Sequence, residues 1–239
     1  MKLFKKLAAV ALVAVLALTM AGCGGKAAQA DQPDTAGTVQ PGVTESDAAG
    51  QVQTGTDDAD DAQGSVNGGV YTNEFAGIGC RLDEGWVFYT AEQMAELNGA
   101  LADGTDNADV KAVLADDPSI FDMYAVSTDG LMVMNVVIQN LGLVSGAVVS
   151  PQEYAEIASA EVADTLTAYG YENVTAQTTA ADYAGTESCP AVAVTAERDG
   201  TALYEQMIYL KTGNYVYCVT LCSFKEDVTA EMAKLFYAL

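Results

Sequence analysis

Histidine is absent from the 239 residues of this chain, and its absence limits the available chemistry. Without imidazole there is no Ser–His–Asp or Cys–His nucleophile system, no histidine general base and no histidine metal ligand. Catalysis would have to rest on carboxylates, lysine, tyrosine, serine or cysteine. The chain has 33 acidic and 10 basic residues and a net charge of −23. Nucleic-acid phosphates require a basic surface, so this charge argues against binding nucleic acid.

The segment 103–109 contains the best candidate metal ligands. Three acids and one amide lie within it: Asp103, Asp106, Asn107 and Asp109. Oxygen ligands of this kind suit calcium, but the segment lacks the glycine and the final glutamate that an EF-hand requires. The same composition is typical of a solvent loop or a helix N-cap. We keep a calcium-dependent binding or adhesion module as an alternative, and we assign neither a metal site nor a cofactor.

Four cysteines fall in the C-terminal part of the chain: Cys80, Cys189, Cys218 and Cys222. On one predicted strand, Cys218 and Cys222 would lie about 13 Å apart, beyond disulfide reach. A predicted hairpin that pairs Lys211 with Asn214 puts Met207 opposite Cys218. A second predicted hairpin, which pairs Arg198 with Thr201, puts Val192 opposite Met207 and so places Cys189 on the other face. Pairing of Cys80 with another cysteine stays open. We favour buried free thiols, and zinc is poorly supported because CxxC spacing is lacking.

A second cysteine pattern lies near the N-terminus. Three lysines in the first six residues precede an apolar run, and Met20-Ala21-Gly22-Cys23 follows. The run from Leu7 to Gly22 is shorter than the roughly 20 residues that a membrane-spanning helix needs. Residues 1–22 are therefore predicted to be a signal peptide. Residues 20–23 resemble the lipobox of bacterial lipoproteins, with Met20 in place of the usual leucine.

The lipobox resemblance implies that the Cys23 thiol receives a diacylglyceryl group and becomes the acylated N-terminus after cleavage. Stable membrane anchoring requires two acyl chains, because a single chain binds the bilayer only marginally. The alternative is an ordinary secretory signal, with Cys23 as an incidental thiol. We expect a lipid-anchored protein on the extracytoplasmic face of the cell membrane, with the bilayer as its partner through Cys23.

Residues 23–69 are predicted to form a disordered acidic linker. After Cys23 they contain no aromatic residue, no leucine and no isoleucine, with eight acids and one base. Such a composition cannot bury enough apolar surface to offset the entropy lost on folding. A coil of about 45 residues would span about 35–40 Å, which suits a tether.

Residues 70–239 are predicted to be a single domain, since all 12 tyrosines and Trp86 lie there. Apolar alternation, capping residues and turn pairs indicate an α+β fold, an antiparallel sheet with helices packed on it. The predicted strands are 75–82, 121–128, 131–139, 191–197, 202–210 and 215–224; the predicted helices are 91–101, 108–114, 151–169 and 228–239. We expect Tyr154, Ile157, Val162, Leu166 and Tyr169 to face inward from the third helix.

This order of elements resembles the PsbP-like superfamily, and more closely the lipoproteins of Gram-positive anaerobes. The residues that carry the resemblance are 75–78, 82–86, the aromatic-rich stretch 215–224 and Leu235-Phe236. Asp83 stands where proline is usual. The resemblance implies a PsbP-like α+β sandwich but no catalytic residues, and a fold does not determine function.

Together these features predict a non-enzymatic, membrane-anchored binding or accessory domain of the cell envelope. Its expected partners, besides the bilayer, are an envelope protein or a divalent cation, and a cationic partner fits the acidic charge best. A carboxylate-based envelope hydrolase is the remaining alternative. It would need two inward carboxyl groups in one cleft.

Overall fold

The computed structural model describes residues 62–103 and 119–239, which form two antiparallel sheets and several helices. The strands are β1 (Ser65–Asn67), β2 (Val70–Asn73), β3 (Ile78–Arg81), β4 (Trp86–Phe88), β5 (Ile120–Ser127), β6 (Met132–Asn140), β7 (Glu172–Tyr183), β8 (Thr186–Arg198), β9 (Thr201–Thr212), β10 (Tyr215–Ser223) and β11 (Phe236–Ala238). The helices are α1 (Ala91–Asp103), α2 (Gly142–Val148), α3 (Pro151–Ala168) and α4 (Thr229–Ala233).

The larger sheet has seven strands in the order β4-β5-β6-β10-β9-β8-β7, and the smaller has four in the order β1-β2-β3-β11. One face of the larger sheet packs against α1 and α3, and we call it the helix face. The other packs against the smaller sheet and α4, and we call it the small-sheet face. The antiparallel sheet with packed helices is as predicted. The structure is richer in strands than we expected, because the second sheet was not anticipated.

The centre of the larger sheet follows from apolar side chains on both faces of β6 and β10. All nine residues of β10 are buried, as are the seven interior residues of β6. A strand covered on both faces needs such a continuous apolar sequence. This confirms the prediction for residues 131–139.

Two helix starts are confirmed by their caps. The Ser150 hydroxyl accepts the Glu153 N–H, and the Glu153 carboxylate accepts the Ser150 N–H at 2.9 Å. Thr90 and Gln93 form the same reciprocal pair ahead of α1. The inward face of α3 differs from our prediction, because Tyr169 is 39% exposed. The buried side chains of α3 are Tyr154, Ala155, Ala158, Val162 and Leu166, and its two alanines allow close packing on the sheet.

The hairpin between β9 and β10 is shifted by two residues from the predicted register. Thr212 pairs with Tyr215, so Tyr209, and not Met207, lies opposite Cys218. Gly213 takes the first loop position with φ +57°, where a type II′ turn requires glycine. A shift of two residues keeps every side chain on its face. Cys189 therefore lies on the face opposite Cys218 and Cys222, as predicted.

The predicted C-terminal helix 228–239 is wrong in its second half. The helix ends at Ala233, and β11 then pairs with β3, which is itself shorter than predicted. Gly79 on β3 allows this pairing, because a side chain there would collide with the Tyr237 ring. Residues beyond Ala233 gain sheet hydrogen bonds that a local helical pattern cannot indicate.

The folded part begins earlier than residue 70. Ala62 is buried, and its carbonyl oxygen accepts hydrogen bonds from Asn73 and from the Tyr217 hydroxyl. Strand β1 also lies in the segment that we assigned to the linker. Strands β2 and β7 and helix α2 were not predicted. The predicted helix 108–114 and most of the linker lie outside the described residues.

Candidate functional site

The predicted site residues lie mainly outside the described part of the chain. This applies to Cys23, Asp106, Asn107 and Asp109, and Asp103 is the last residue of α1. Among residues 62–103 and 119–239, no group of three or more acidic, cysteine or histidine side chains could hold a metal ion. No helix in these same residues is long and apolar enough to cross a membrane.

The four cysteines of the folded part are buried free thiols. Cys218 and Cys222 lie on the helix face, and Cys80 and Cys189 lie on the small-sheet face. Burial raises the pKa of Cys80 and of Cys218 to about 12. A thiol with such a pKa is protonated at neutral pH, and the thiolate is the nucleophilic form. These cysteines therefore behave as small apolar side chains.

Asp122 carries a half-buried carboxyl group on the small-sheet face, placed where the register of β5 shifts between Phe121 and Met123. Its Oδ2 accepts the Tyr71 hydroxyl at 2.6 Å and the Asn73 amide at 2.9 Å. Its Oδ1 accepts the Gly64 N–H at 2.8 Å. Burial raises the pKa of Asp122, and the hydrogen bonds from Tyr71 and Asn73 oppose that rise. Because its donors come from β2 and the segment before β1, Asp122 joins the two sheets.

Glu205 is a fully enclosed carboxyl group on the helix face. It lies on β9 between Val194 of β8 and Cys222 of β10, and it is 2% exposed. Neither carboxyl oxygen has a hydrogen-bond partner among the described residues. Burial raises the pKa of Glu205 to about 8, so it is mainly protonated at neutral pH.

Asn135 shares the helix face with Glu205. It lies on β6 opposite Thr220 of β10, is fully buried, and its amide nitrogen and oxygen also have no partner among the described residues. We did not predict a role for Glu205 or Asn135. The sequence did indicate that Glu205 is buried, because Glu205 alternates in phase with the apolar Leu203 and Met207.

Asp122 and Glu205 do not form a catalytic pair. Asp122 lies on the small-sheet face and Glu205 on the helix face, so the sheet separates them. A carboxylate hydrolase requires both groups beside the same bond of the substrate. Asp122 and Glu205 therefore give the hydrolase alternative no support.

An apolar groove of about 350 Å³ opens at the end of the larger sheet, where β4 and β6 begin and β10 ends. We call it the Trp86 groove. Its apolar lining consists of Trp86, Met132, Val228, Met232 and Leu235, and its polar lining consists of Ser223, Lys225, Glu226 and Glu231. Trp86 is the only tryptophan in the chain and is half-buried.

The rim of the Trp86 groove is acidic. Lys225 donates to the Asp129 carboxylate at 2.6 Å, and this contact contributes most to lowering the pKa of Asp129 to about 2. The ammonium charge of Lys225 is therefore partly offset by a carboxylate of the protein itself. Glu226 and Glu231 are exposed, and Lys234 lies 3.9 Å from Glu231. An apolar floor with acidic side chains at its edge suits an apolar side chain flanked by basic ones.

A scan against protein families found no match for this chain, and a search of curated proteins found none either. The candidate sites therefore depend on the geometry and chemistry of the chain itself.

Proposed function

We propose that this chain is a membrane-anchored extracytoplasmic lipoprotein whose folded part is a non-enzymatic binding or accessory domain of the cell envelope. The observation that carries the proposal is Met20-Ala21-Gly22-Cys23 directly after a basic and apolar segment. Acylation of Cys23 would hold the domain at the membrane, and the acidic linker would separate the two.

Replacing the acceptor thiol tests the anchor. In the whole chain, Cys23→Ser abolishes metabolic labelling with a fatty acid and moves the protein out of the membrane fraction. Ala28→Ser, five residues further along the linker, is the matched control and leaves both properties unchanged. Unchanged labelling of Cys23→Ser refutes the lipoprotein assignment.

The Trp86 groove supports the binding part of the proposal. We propose that it takes an apolar side chain from a basic segment of an envelope protein. Its floor is apolar, and Glu226 and Glu231 stand at its edge. Lys225 is paired with Asp129 at 2.6 Å, whereas the contact of Glu231 with Lys234 is longer, at 3.9 Å. An acidic segment would meet like charge there, which is costly at an interface.

Fluorescence of Trp86 reports on this groove without any label. We expect an amphipathic Leu–Lys peptide without tryptophan to shift the emission of the full chain in phosphatidylcholine vesicles, and the matching Leu–Glu peptide not to do so. Glu226→Lys with Glu231→Lys weakens binding about tenfold or more. The control pair Glu156→Lys and Glu197→Lys, exposed on α3 and β8, has less effect. Equal binding of both peptides contradicts the groove assignment and leaves the Cys23 test unaffected.

We also propose that the folded part is a variant of the PsbP-like sandwich. The antiparallel sheet with a capped helix on one face supports this, as do the sequence marks at residues 75–78 and 82–86. An experimental structure tests it by superposition on a PsbP-like domain. A different strand order in the shared sheet would contradict the assignment.

A further inference from the structure

Strand β7 forms an unusually long sheet edge. It has 12 residues, pairs with β8 on one side, and has no strand partner on its other side among the described residues. The other edge strands, β1, β4 and β11, have only three residues each. A long edge presents a row of backbone N–H and C=O groups that can pair with another strand.

Between its two register shifts, the β7 edge also lacks the protections that sheet edges usually carry. Residues 174–181 contain no charge and no proline, in a chain with a net charge of −23. The register shifts of β7 lie between Glu172 and Thr175 and between Ala181 and Tyr183, so the stretch between them is regular. Helix α3 packs on β7, with Val174 and Ala176 half-buried, but residues 177–180 are exposed. A charge, a proline or a bulge in this stretch would discourage pairing.

We propose that β7 pairs antiparallel with β7 of a second copy of this chain and joins two seven-stranded sheets into one. Two copies carry a large like charge and repel each other across most surfaces. The uncharged stretch 174–181 is a surface where their backbones meet without opposing carboxylates. An antiparallel pair of identical strands gives a closed two-fold dimer, the commonest symmetry of soluble oligomers.

The side chains of β7 favour a second copy over a foreign peptide. Thr175 already forms a 2.7 Å hydroxyl contact with Thr195 across β7 and β8, which is the pairing that threonine-rich strands make. Peptide-binding edges obtain specificity from pockets for alternate side chains. The exposed residues Gln177–Ala180 provide no enclosing pocket, whereas a symmetric strand pair requires none.

Cysteine crosslinking tests the pairing in the native membrane with the whole chain. Single cysteines replace Gln177, Thr178, Thr179 and Ala180, and Ala193→Cys is the control. Ala193 is exposed and lies opposite Gln177, but on the inner strand β8. After mild oxidation we expect a disulfide-linked dimer from at least one β7 position and none from Ala193→Cys. Monomer at all four β7 positions, or equal crosslinking at Ala193, overturns the proposal.

A charge substitution gives an independent measurement. We expect Gln177→Lys or Thr179→Lys to raise the dimer dissociation constant of the full chain at least tenfold in analytical ultracentrifugation, and Ala193→Lys to leave it nearly unchanged. Salt strengthens the dimer of the unmodified chain, because it screens the repulsion between acidic copies. A monomer at every concentration, or equal loss with Ala193→Lys, overturns the proposal. A dimer that dissociates when salt is added also overturns the proposal.

Discussion

On the small-sheet face of the larger sheet, Asp122 accepts hydrogen bonds from Tyr71, Asn73 and Gly64. On the helix face, Glu205 is more deeply buried than Asp122, at 2% exposure, but neither of its carboxyl oxygens has a partner among the described residues. Burial raises the pKa of both carboxyl groups, and donors oppose that rise only at Asp122. The carboxyl group of Asp122 therefore links two layers on the small-sheet face, whereas the carboxyl group of Glu205 lowers the stability of the fold on the helix face.

The two faces also differ in whether a buried asparagine side chain is hydrogen-bonded. Asn73 donates to the Ala62 carbonyl and to Asp122, and its Oδ1 accepts the Ala76 N–H. Asn135 is buried to the same extent and has no such contacts among the described residues. The small-sheet face thus has a polar network around Asp122, although the Tyr183 hydroxyl and Gln206 Oε1 on that face also lack a partner among the described residues. The helix face is held mainly by apolar packing under α3, where the Tyr154 hydroxyl donates to Gln139 but Asn135 and Glu205 have no partner among the described residues.

The largest effect is expected from Asp122→Ala. The variant leaves the donors of Tyr71, Asn73 and Gly64 without their acceptor, and we expect a loss of about 3–5 kcal/mol in the free energy of unfolding. Urea denaturation of the whole chain measures it. Asp164→Ala, at an exposed position of α3, is the control and should change stability by less than about 0.5 kcal/mol. A loss below about 1 kcal/mol would show that Asp122 does not join the sheets.

Glu205→Gln should change the pH dependence of stability. The folded pKa of Glu205 is about 8, above the ordinary 4.5, so between these values the folded state binds more protons than the unfolded state. Stability therefore falls as pH rises from about 4.5 to 8, by about 4 kcal/mol in total. Glu205→Gln removes this contribution and is the more stable protein at pH 9.

Unfolding midpoints of Glu205→Gln and the unmodified chain between pH 4 and 9 test this, and the difference between them isolates Glu205. Glu197→Gln, at an exposed position on β8, should follow the unmodified chain. If Glu205→Gln does so as well, Glu205 is not buried in a neutral form.

Leucine at the two buried asparagines should produce opposite changes. Asn135→Leu removes a polar group that has no partner, so we expect a gain of about 1 kcal/mol. Asn73→Leu breaks three contacts of the polar network and should cost about 2–3 kcal/mol. Urea denaturation of both variants measures the contrast. Losses of equal size at both positions would mean that Asn135 also has partners in solution.

The centre of the fold was predictable because local patterns and tertiary packing agree there. Strand β6 has apolar residues on both faces and is buried on both, and Ser150 with Glu153 forms the cap that their spacing indicates. Strand β7 shows the opposite case. Its threonines, alanines and glutamine follow no clear alternation, and the strand exists through its pairing with β8, which a local pattern does not contain.

The polar network was not predictable from the sequence for a similar reason. Asp122 depends on a shift of register in β5 and on donors located about 50 positions earlier in the chain. The role of Glu205 was missed for a different reason. Its phase with Leu203 and Met207 placed it on the buried face, but a carboxyl group is rarely buried without a partner, so composition gave no reason to single it out.

The smallest difference between the faces concerns the thiols. Cys222 on the helix face is fully buried, whereas Cys189 on the small-sheet face is 4% exposed and lies near the turn between β7 and β8. Burial raises the pKa of both thiols, so both react slowly in the folded protein.

We expect iodoacetamide to modify Cys189 before Cys222, because local opening of a hairpin end needs less free energy than opening of the core. Peptide mass spectrometry over time measures the order, and in urea the two should react alike. Earlier modification of Cys222 would show that the helix face opens more readily than the small-sheet face, and that its two unsatisfied groups weaken the packing under α3.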